Sequence, residues 1–226
     1  MRLALISDIH GNLAALEAVM ASIRREGVDM TICLGDIVGY GARPNECIEL
    51  MHKNAIPCLL GNHDEAAIGR GDIAYFNRYA AYAINWTADQ LTPAARKFLQ
   101  ELDFTMESEG LLFTHASPDQ PEAWNYIFTV SQAQISFRAF NHPVCFFGHT
   151  HYPVIFTETG GERRLINVGS VGQPRDHDPR ACWGLHDATS GEFNWIRVEY
   201  PVERTVREIV TANLPRFLAD RLLMGV

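Results

Sequence analysis

The chain has no apolar run near the ~18 consecutive residues that a membrane-spanning helix needs. Its opening, MRLALISDIHG, carries one basic residue and an apolar stretch broken by Ser7 and Asp8, too short for a secretory h-region. These two absences lead us to expect a cytoplasmic protein with no membrane partner. No Lys/Arg-rich stripe with interleaved aromatics is present, and the net charge of −8 opposes attraction to a polyanion, so no duplex nucleic acid is expected as partner. There is no GxSxG elbow and no loop ending in GK[ST], which leaves covalent serine catalysis and nucleotide-triphosphate switching without support. The five cysteines form no CxxC pair, and Cys33, Cys58 and Cys145 stand in apolar stretches where a thiol behaves as a small core hydrophobe. Linkers, low-complexity tracts and solenoid repeats are also missing. With 47% hydrophobic and 20% charged residues, 1–226 is expected to form a single domain.

What is present is a series of short apolar runs: RLALIS, MTICLG, AIPCLLG, LLFTH, PVCFFG and RLINVG, each a candidate buried strand. Every run ends in polar residues, namely Asp8-Ile9-His10, Asp36, Asn62-His63-Asp64, His115, His149-Thr150-His151 and Asn167-Val168-Gly169-Ser170. In open α/β sheets ligands bind outside the carboxyl ends of strands, so these clusters can converge on one crevice. Between the early runs, Asn12 is a candidate N-cap, Leu13, Leu16, Val19, Met20 and Ile23 make one apolar stripe, and Gly27 suits a C′ position. Pro44 opens a second helix. Residues 64–102 read as a helical, cap-like segment, with Thr92-Pro93 starting its last piece. After Gly148 the pattern turns to strands, which suggests a second sheet, and Pro201 to about Leu222 reads as a helix pair divided near Pro215.

Asp8 and His10, one residue apart at a strand end, can point to the same side and grip one cation. Carboxylate, amide and imidazole together form a mixed O/N set that suits manganese, iron, zinc, cobalt or nickel better than magnesium or calcium. The candidate ligands Asp8, His10, Asp36, Asn62, His115, His149 and His151 exceed the needs of one ion, and a carboxylate such as Asp36 can bridge two ions roughly 3.5–4 Å apart. Two divalent transition-metal ions are therefore expected.

DIHGN at 8–12, GD at 35–36, GNHD at 61–64, His115 and GHTH at 148–151 together resemble the calcineurin-like metallophosphoesterases. The resemblance spans about residues 1–175. It implies an α/β fold, a four-layer αββα sandwich, with one metal on Asp8, His10, Asp36 and His151 and the other on Asp36, Asn62, His115 and His149. His63 would face the leaving group as catalytic acid. Within the family the chain is similar to the small bacterial predicted phosphodiesterases, through GDIVGYG with its Pro-Asn-Glu helix and through NVGSVGQPRD. It departs from the Ser/Thr protein phosphatase branch, whose GD motif continues with a second Asp and a phosphate-binding Arg. Gly39 and Tyr40 stand there instead, so His63 needs another orienting partner.

The implied activity is hydrolysis of a small phosphodiester or phosphomonoester by hydroxide formed from a water shared between two cations. Such cations reverse the local field, so a small phosphorylated substrate is compatible with an acidic chain. A dinucleoside polyphosphate hydrolase is the alternative within enzymes, and a non-catalytic metal-binding interaction module the alternative outside them. Asn12 has two readings, helix cap or substrate contact. Arg175 is a candidate substrate-binding residue because guanidinium binds phosphate bidentately. His52, His142 and His186 are taken as surface or structural, and His177 lies in a segment that can overhang the site. Tyr75, Phe76, Tyr79, Tyr82 and Trp86 run at near-helical spacing and are read as core.

Overall fold

Alternation along β1 (Arg2–Ile6) sorts the molecule into layers. Leu3 and Leu5 join an apolar cluster with Ile32, Phe113, Phe146 and Ile166, whereas Ala4 and Ile6 join another with Leu16, Val19, Ile23 and Ile48. In the computed structural model, which describes residues 1–226, the first cluster lies between two sheets and the second between a sheet and helices. One sheet runs in the order β2 (Met30–Cys33), β1, β8 (Ala181–Asp187), β9 (Phe193–Val198). The other runs β3 (Thr105–Ser108), β4 (Leu111–Thr114), β5 (Val144–Phe147), β7 (Arg164–Asn167), β6 (Val154–Thr157). Both are mixed: β1 pairs parallel with β2 and antiparallel with β8, and β4, β5 and β7 are mutually parallel while β3 and β6 run against them.

The helices are α1 (Leu13–Glu26), α2 (Pro44–Lys53), α3 (Asn62–Ala67), α4 (Arg78–Gln90), α5 (Pro93–Gln100), α6 (Val130–Ser136), α7 (Val202–Thr211) and α8 (Arg216–Asp220). α1, α2 and α5 cover the first sheet, and α6 covers the second through Ala133, Cys145, Phe147 and Leu165. This is the αββα sandwich. Local signals set the helix ends as expected: Asn12 accepts from Ala15 N–H, Gly27 takes the left-handed conformation at the end of α1, Pro44 opens α2, and Thr92 caps α5 ahead of Pro93. α7 and α8 form the helix pair expected near the end and pack with α4 and Tyr40 through Ala83, Ile209, Leu214 and Leu218.

Three expectations need correction. The strands after Gly148 do not form a sheet of their own: β6 and β7 extend the sheet of β5, and β8 and β9 return to pair beside β1. Partner choice depends on contacts far apart in sequence, which a local pattern does not encode. The run AIPCLLG makes only isolated bridges, Cys33 with Cys58 and Leu59 with Asp103, so it is an edge segment, not a strand. In the aromatic stretch, Tyr75 is 90% exposed and Tyr82 51%; the buried face of α4 is Ala80, Ala83, Ile84 and Thr87, with Phe76, Tyr79 and Trp86 packed at its margin.

Candidate metal centre

The centre begins where β1 and β2 end side by side. Their loops are laced together by main-chain bonds, Asp8 N–H to Gly35 O, His10 N–H to Asp36 O and Gly11 N–H to Ile37 O, each 2.9–3.0 Å. Asp8, His10 and Asp36 all have positive φ, between 51° and 54°, and His149 and His151 join them at 64° and 63°. Left-handed backbone at non-glycine residues costs energy and tends to cluster where function needs it. Asp8 and His10 thus converge from a left-handed loop, not from the extended strand end that the spacing suggested.

Two glycines make the approach possible. A Cβ at Gly148 would collide with Ser7 Oγ and Asp8 Oδ2, and one at Gly61 would collide with Asp36 Oδ1. Asp36 is nearly inaccessible; its Oδ1 accepts from His63 N–H at 2.8 Å, and its Oδ2 lies 3.6 Å from His10 Nε2 and 3.4 Å from His115 Nε2. Asp8 Oδ2 accepts from His149 N–H at 3.1 Å, while Oδ1, without any hydrogen-bond partner, lies 3.3 Å from His151 Nε2. Three groups of potential ligand atoms lie within 4.8 Å of one another: Asp8, His10 and His151; Asp36, His115 and His149; and His10, Asp36 and His63.

The imidazole protons show what this cluster fits. Nδ1 of His10, His115 and His151 faces the carbonyl of Val38, Leu34 and Gln173, at 3.1, 2.9 and 2.6 Å. A carbonyl can only accept, so each Nδ1 carries the hydrogen and each Nε2 of a neutral ring offers a lone pair to the centre. His149 is reversed: Nε2 donates to Trp124 O at 3.0 Å, leaving Nδ1 as the free lone pair. Asp8 Oδ1, Asn62 Oδ1 and His115 Nε2 are buried with no partner. Acceptors facing acceptors in a buried site are costly unless a cation lies among them. The donor set therefore fits divalent metal, and the carbonyl contacts are the supports that orient metal-ligating histidines.

Burial pushes the Asp8 carboxyl up to about 6 and holds His10, His149 and His151 well below the usual imidazole range. Burial also opposes ionisation of Asp36 and His115. For Asp36 it is outweighed by His115 and His63, which keep the carboxyl well below its ordinary value; for His115 it is outweighed by Asp36 and Asp8, which lift the imidazole to about 9.

His63 lies against this group, its ring 4.8 Å from His10, 4.5 Å from Tyr40 and 5.0 Å from Phe76. Its Nδ1 is buried without a partner. No side-chain carboxylate takes the place of the missing second Asp; aromatic walls orient the ring instead, and a Cβ at Gly39 would strike His63 Nδ1 at 2.5 Å. Burial lowers the His63 pKa to about 4.

Asn12 Oδ1 accepts from Ala15 N–H and Thr205 Oγ1, and its Nδ2 donates to Gly172 O at 2.9 Å and Tyr200 Oη at 3.3 Å. That geometry favours capping over substrate contact. Arg175 lies beside the centre, donating to Gln173 Oε1 at 2.7 Å and Tyr40 Oη at 3.4 Å. His52 and His177 are exposed, His142 pairs with Glu107, and His186 is buried against Phe146. Sequence reasoning missed Tyr126, whose ring stacks on His149 at 4.0 Å, and Trp124, whose carbonyl holds His149. Both lie in an irregular loop with no periodic signal; the only hint was three aromatics, Trp124, Tyr126 and Phe128, in a short polar stretch. With Asn62, Phe76 and His149, Trp124 and Tyr126 line an open cleft of about 750 Å³.

Residues 1–191 match the model of the calcineurin-like phosphoesterase superfamily domain. The chain belongs to this family. A metallophosphoesterase from Sphaerobacter thermophilus, of known crystal structure, is 39% identical, with a TM-score of 0.89 over 100% of this chain and 99% of its own. An uncharacterized protein of Methanocaldococcus jannaschii is 38% identical over 241 residues, covering 99% of this chain and 98% of its own. Phosphodiesterase YfcE of Escherichia coli (strain K12) is 28% identical over 193 residues, 83% of this chain and 88% of its own. As a calcineurin-like phosphoesterase, the chain falls among metal-dependent phosphoester hydrolases, and its cluster of aspartates and histidines is of the kind that holds metal. No helix is long and apolar enough to cross a membrane.

Proposed function

We propose that the protein is a dinuclear metal-dependent phosphoesterase that hydrolyses a small phosphodiester or phosphomonoester. The observation that carries this reading is the inward set of lone pairs: His10, His115 and His151 through Nε2, and His149 through Nδ1, facing Asp8, Asp36 and an unpartnered Asn62 Oδ1. One ion would be held by Asp8, His10, Asp36 and His151, the other by Asp36, Asn62, His115 and His149. Asp36 Oδ2, between His10 and His115, suits the shared position. The nitrogen and oxygen donors suit manganese, iron, zinc, cobalt or nickel. When bound, two such ions lower the pKa of water and neutralise phosphoryl oxygens.

The chain's own residues supply orientation and a proton. The carbonyls of Val38, Leu34, Gln173 and Trp124 fix the imidazole planes, and the left-handed loops hold both aspartates inward, Asp8 with no partner on Oδ1. His63, held neutral by burial, would take a proton from solvent as a phosphate anion arrives beside it, and would give that proton to the departing oxygen. Five free cysteines, four of them buried, suit a reducing cytoplasm. The partner is a small phosphorylated molecule, not duplex nucleic acid.

Two observations favour the dinucleoside polyphosphate alternative as a second reading: the aromatic-lined cleft beside His149 and the free arginines described below. The interaction-module reading has less support, because every expected ligand type is in place. Assays with bis-p-nitrophenyl phosphate, p-nitrophenyl phosphate, cyclic nucleotides and diadenosine tetraphosphate, with metal content measured on the same samples, test the proposal. Metal-dependent turnover of any of them supports it; turnover that survives complete removal of metal refutes the mechanism.

A further inference from the structure

Two guanidinium groups face one ring at the edge of the centre. Arg175 Cζ lies 5.9 Å from the centroid of Tyr40 and Arg221 Cζ lies 6.0 Å from it, although the two residues come from different segments, the loop after β7 and the turn after α8. Neither pairs with a side-chain carboxylate. The neighbouring carboxylates are committed elsewhere: Asp176 to Arg197, Asp178 to Arg180 at 2.7 Å, Glu208 to Arg43 and Arg204 at 3.2 Å each, and Asp220 to Arg216 at 3.5 Å. Arg175 Nε is buried without a partner, and Arg221 donates only through Nε, to a carboxyl-terminal oxygen of Val226, the last residue. Its two terminal nitrogens have no protein acceptor. Burial, reinforced by the charge of Arg175, depresses the Arg221 pKa to about 10, so the pair is held together against its own repulsion.

Tyr40 connects this pair to the chemistry. Its ring is 4.7 Å from that of His10 and 4.5 Å from that of His63, and its hydroxyl accepts from Arg175, which leaves its own hydrogen to donate. Two forked cations and a hydroxyl, with spare terminal donors and no side-chain carboxylate between them, form a receptor for a phosphate-type oxyanion. We propose that Arg175 and Arg221 bind a second, non-reacting phosphate-type group of the substrate, so that the preferred substrates carry at least two anionic groups. This rests on the metal centre binding the first group. It draws on a segment beyond residues 1–191, where the family domain ends.

The test reads binding without turnover. The full-length, metal-loaded protein is titrated calorimetrically with methylphosphonate and with methylenediphosphonate, whose P–C–P bridge is not hydrolysed, and metal content is checked afterwards. The diphosphonate is expected to bind at least about tenfold more tightly than the monophosphonate, and Arg175→Met/Arg221→Met to reduce that ratio to within about twofold. Arg221→Lys should retain part of it, because a point charge remains while the fork is lost. A ratio unchanged in the double variant, both ligands weakened equally, or no preference in the wild type would each overturn the proposal. Should the double variant not fold, Arg175→Gln and Arg221→Gln taken singly give the same readout. Failure to hydrolyse any ester would count against the hydrolytic function alone and leave this ratio interpretable.

Discussion

Nε2 of His10 lies 3.1 Å from Nε2 of His151, and both rings donate from Nδ1 to a main-chain carbonyl. With both rings held neutral by burial, two lone pairs face each other in a site closed to water. A cation between them turns that repulsion into coordination.

The purified protein should therefore carry about two transition-metal ions per chain. Chelation should abolish phosphodiester hydrolysis and lower the melting temperature, since ligand bound only to the folded state stabilises it by about 2.7 kcal/mol at a hundredfold excess over Kd. Elemental analysis, a melting curve and one activity assay decide this; full activity in metal-free protein contradicts it.

Asp36→Ala should reduce occupancy at both sites, because its Oδ2 lies within 3.6 Å of both His10 and His115, which belong to different groups of potential ligands. His10→Ala should weaken mainly one. Metal stoichiometry measured at graded metal concentration separates the two outcomes, and two tightly held ions in Asp36→Ala would rule out the shared position.

Gly148→Ala should destabilise the fold by about 1–3 kcal/mol, as overpacking generally does, and should weaken metal binding as well. The added methyl meets Ser7 Oγ and Asp8 Oδ2, so relief requires Asp8 to move. Denaturant melts with and without metal check it: the loss should be larger with metal present.

His63→Gln should keep its metal and lose rate in proportion to the leaving group's basicity. A general acid contributes ~10²–10⁴-fold where the departing oxygen needs a proton, and little where it is a nitrophenolate. Equal deficits for alkyl and nitrophenyl esters would make His63 an electrostatic stabiliser instead.

Metal-free protein should lose stability on acidification. His63 is buried and its pKa falls to about 4, against about 6.5 in an unfolded chain, so the unfolded state binds the proton first. The contribution, roughly 3 kcal/mol, is present above pH 6.5 and is lost as the pH falls from there towards 4. Urea titrations of wild type and His63→Gln over that range should converge at the acid end; parallel curves would show that His63 is not the group responsible.

The sequence by itself determined which side chains gather at the centre and most of the helix ends. Asp8, His10, Asp36, Asn62, His115, His149 and His151 each follow an apolar run, and the caps at Asn12, Gly27 and Thr92 are local devices acting within one turn. Such signals are readable because cause and effect lie a few residues apart. Tertiary structure alone decided which sheet received β6 and β7, because strand pairing is a contact between distant segments. It also decided which nitrogen of each histidine faces inward, since carbonyls such as that of Gln173, 22 positions from His151, set the tautomer. Asn12 is saturated by Thr205, Gly172 and Tyr200, and Arg221 meets Arg175 over Tyr40, only because folding brings remote segments to the same loops. No periodicity or spacing carries those contacts, since each is fixed by how layers pack and not by how neighbouring residues turn the chain.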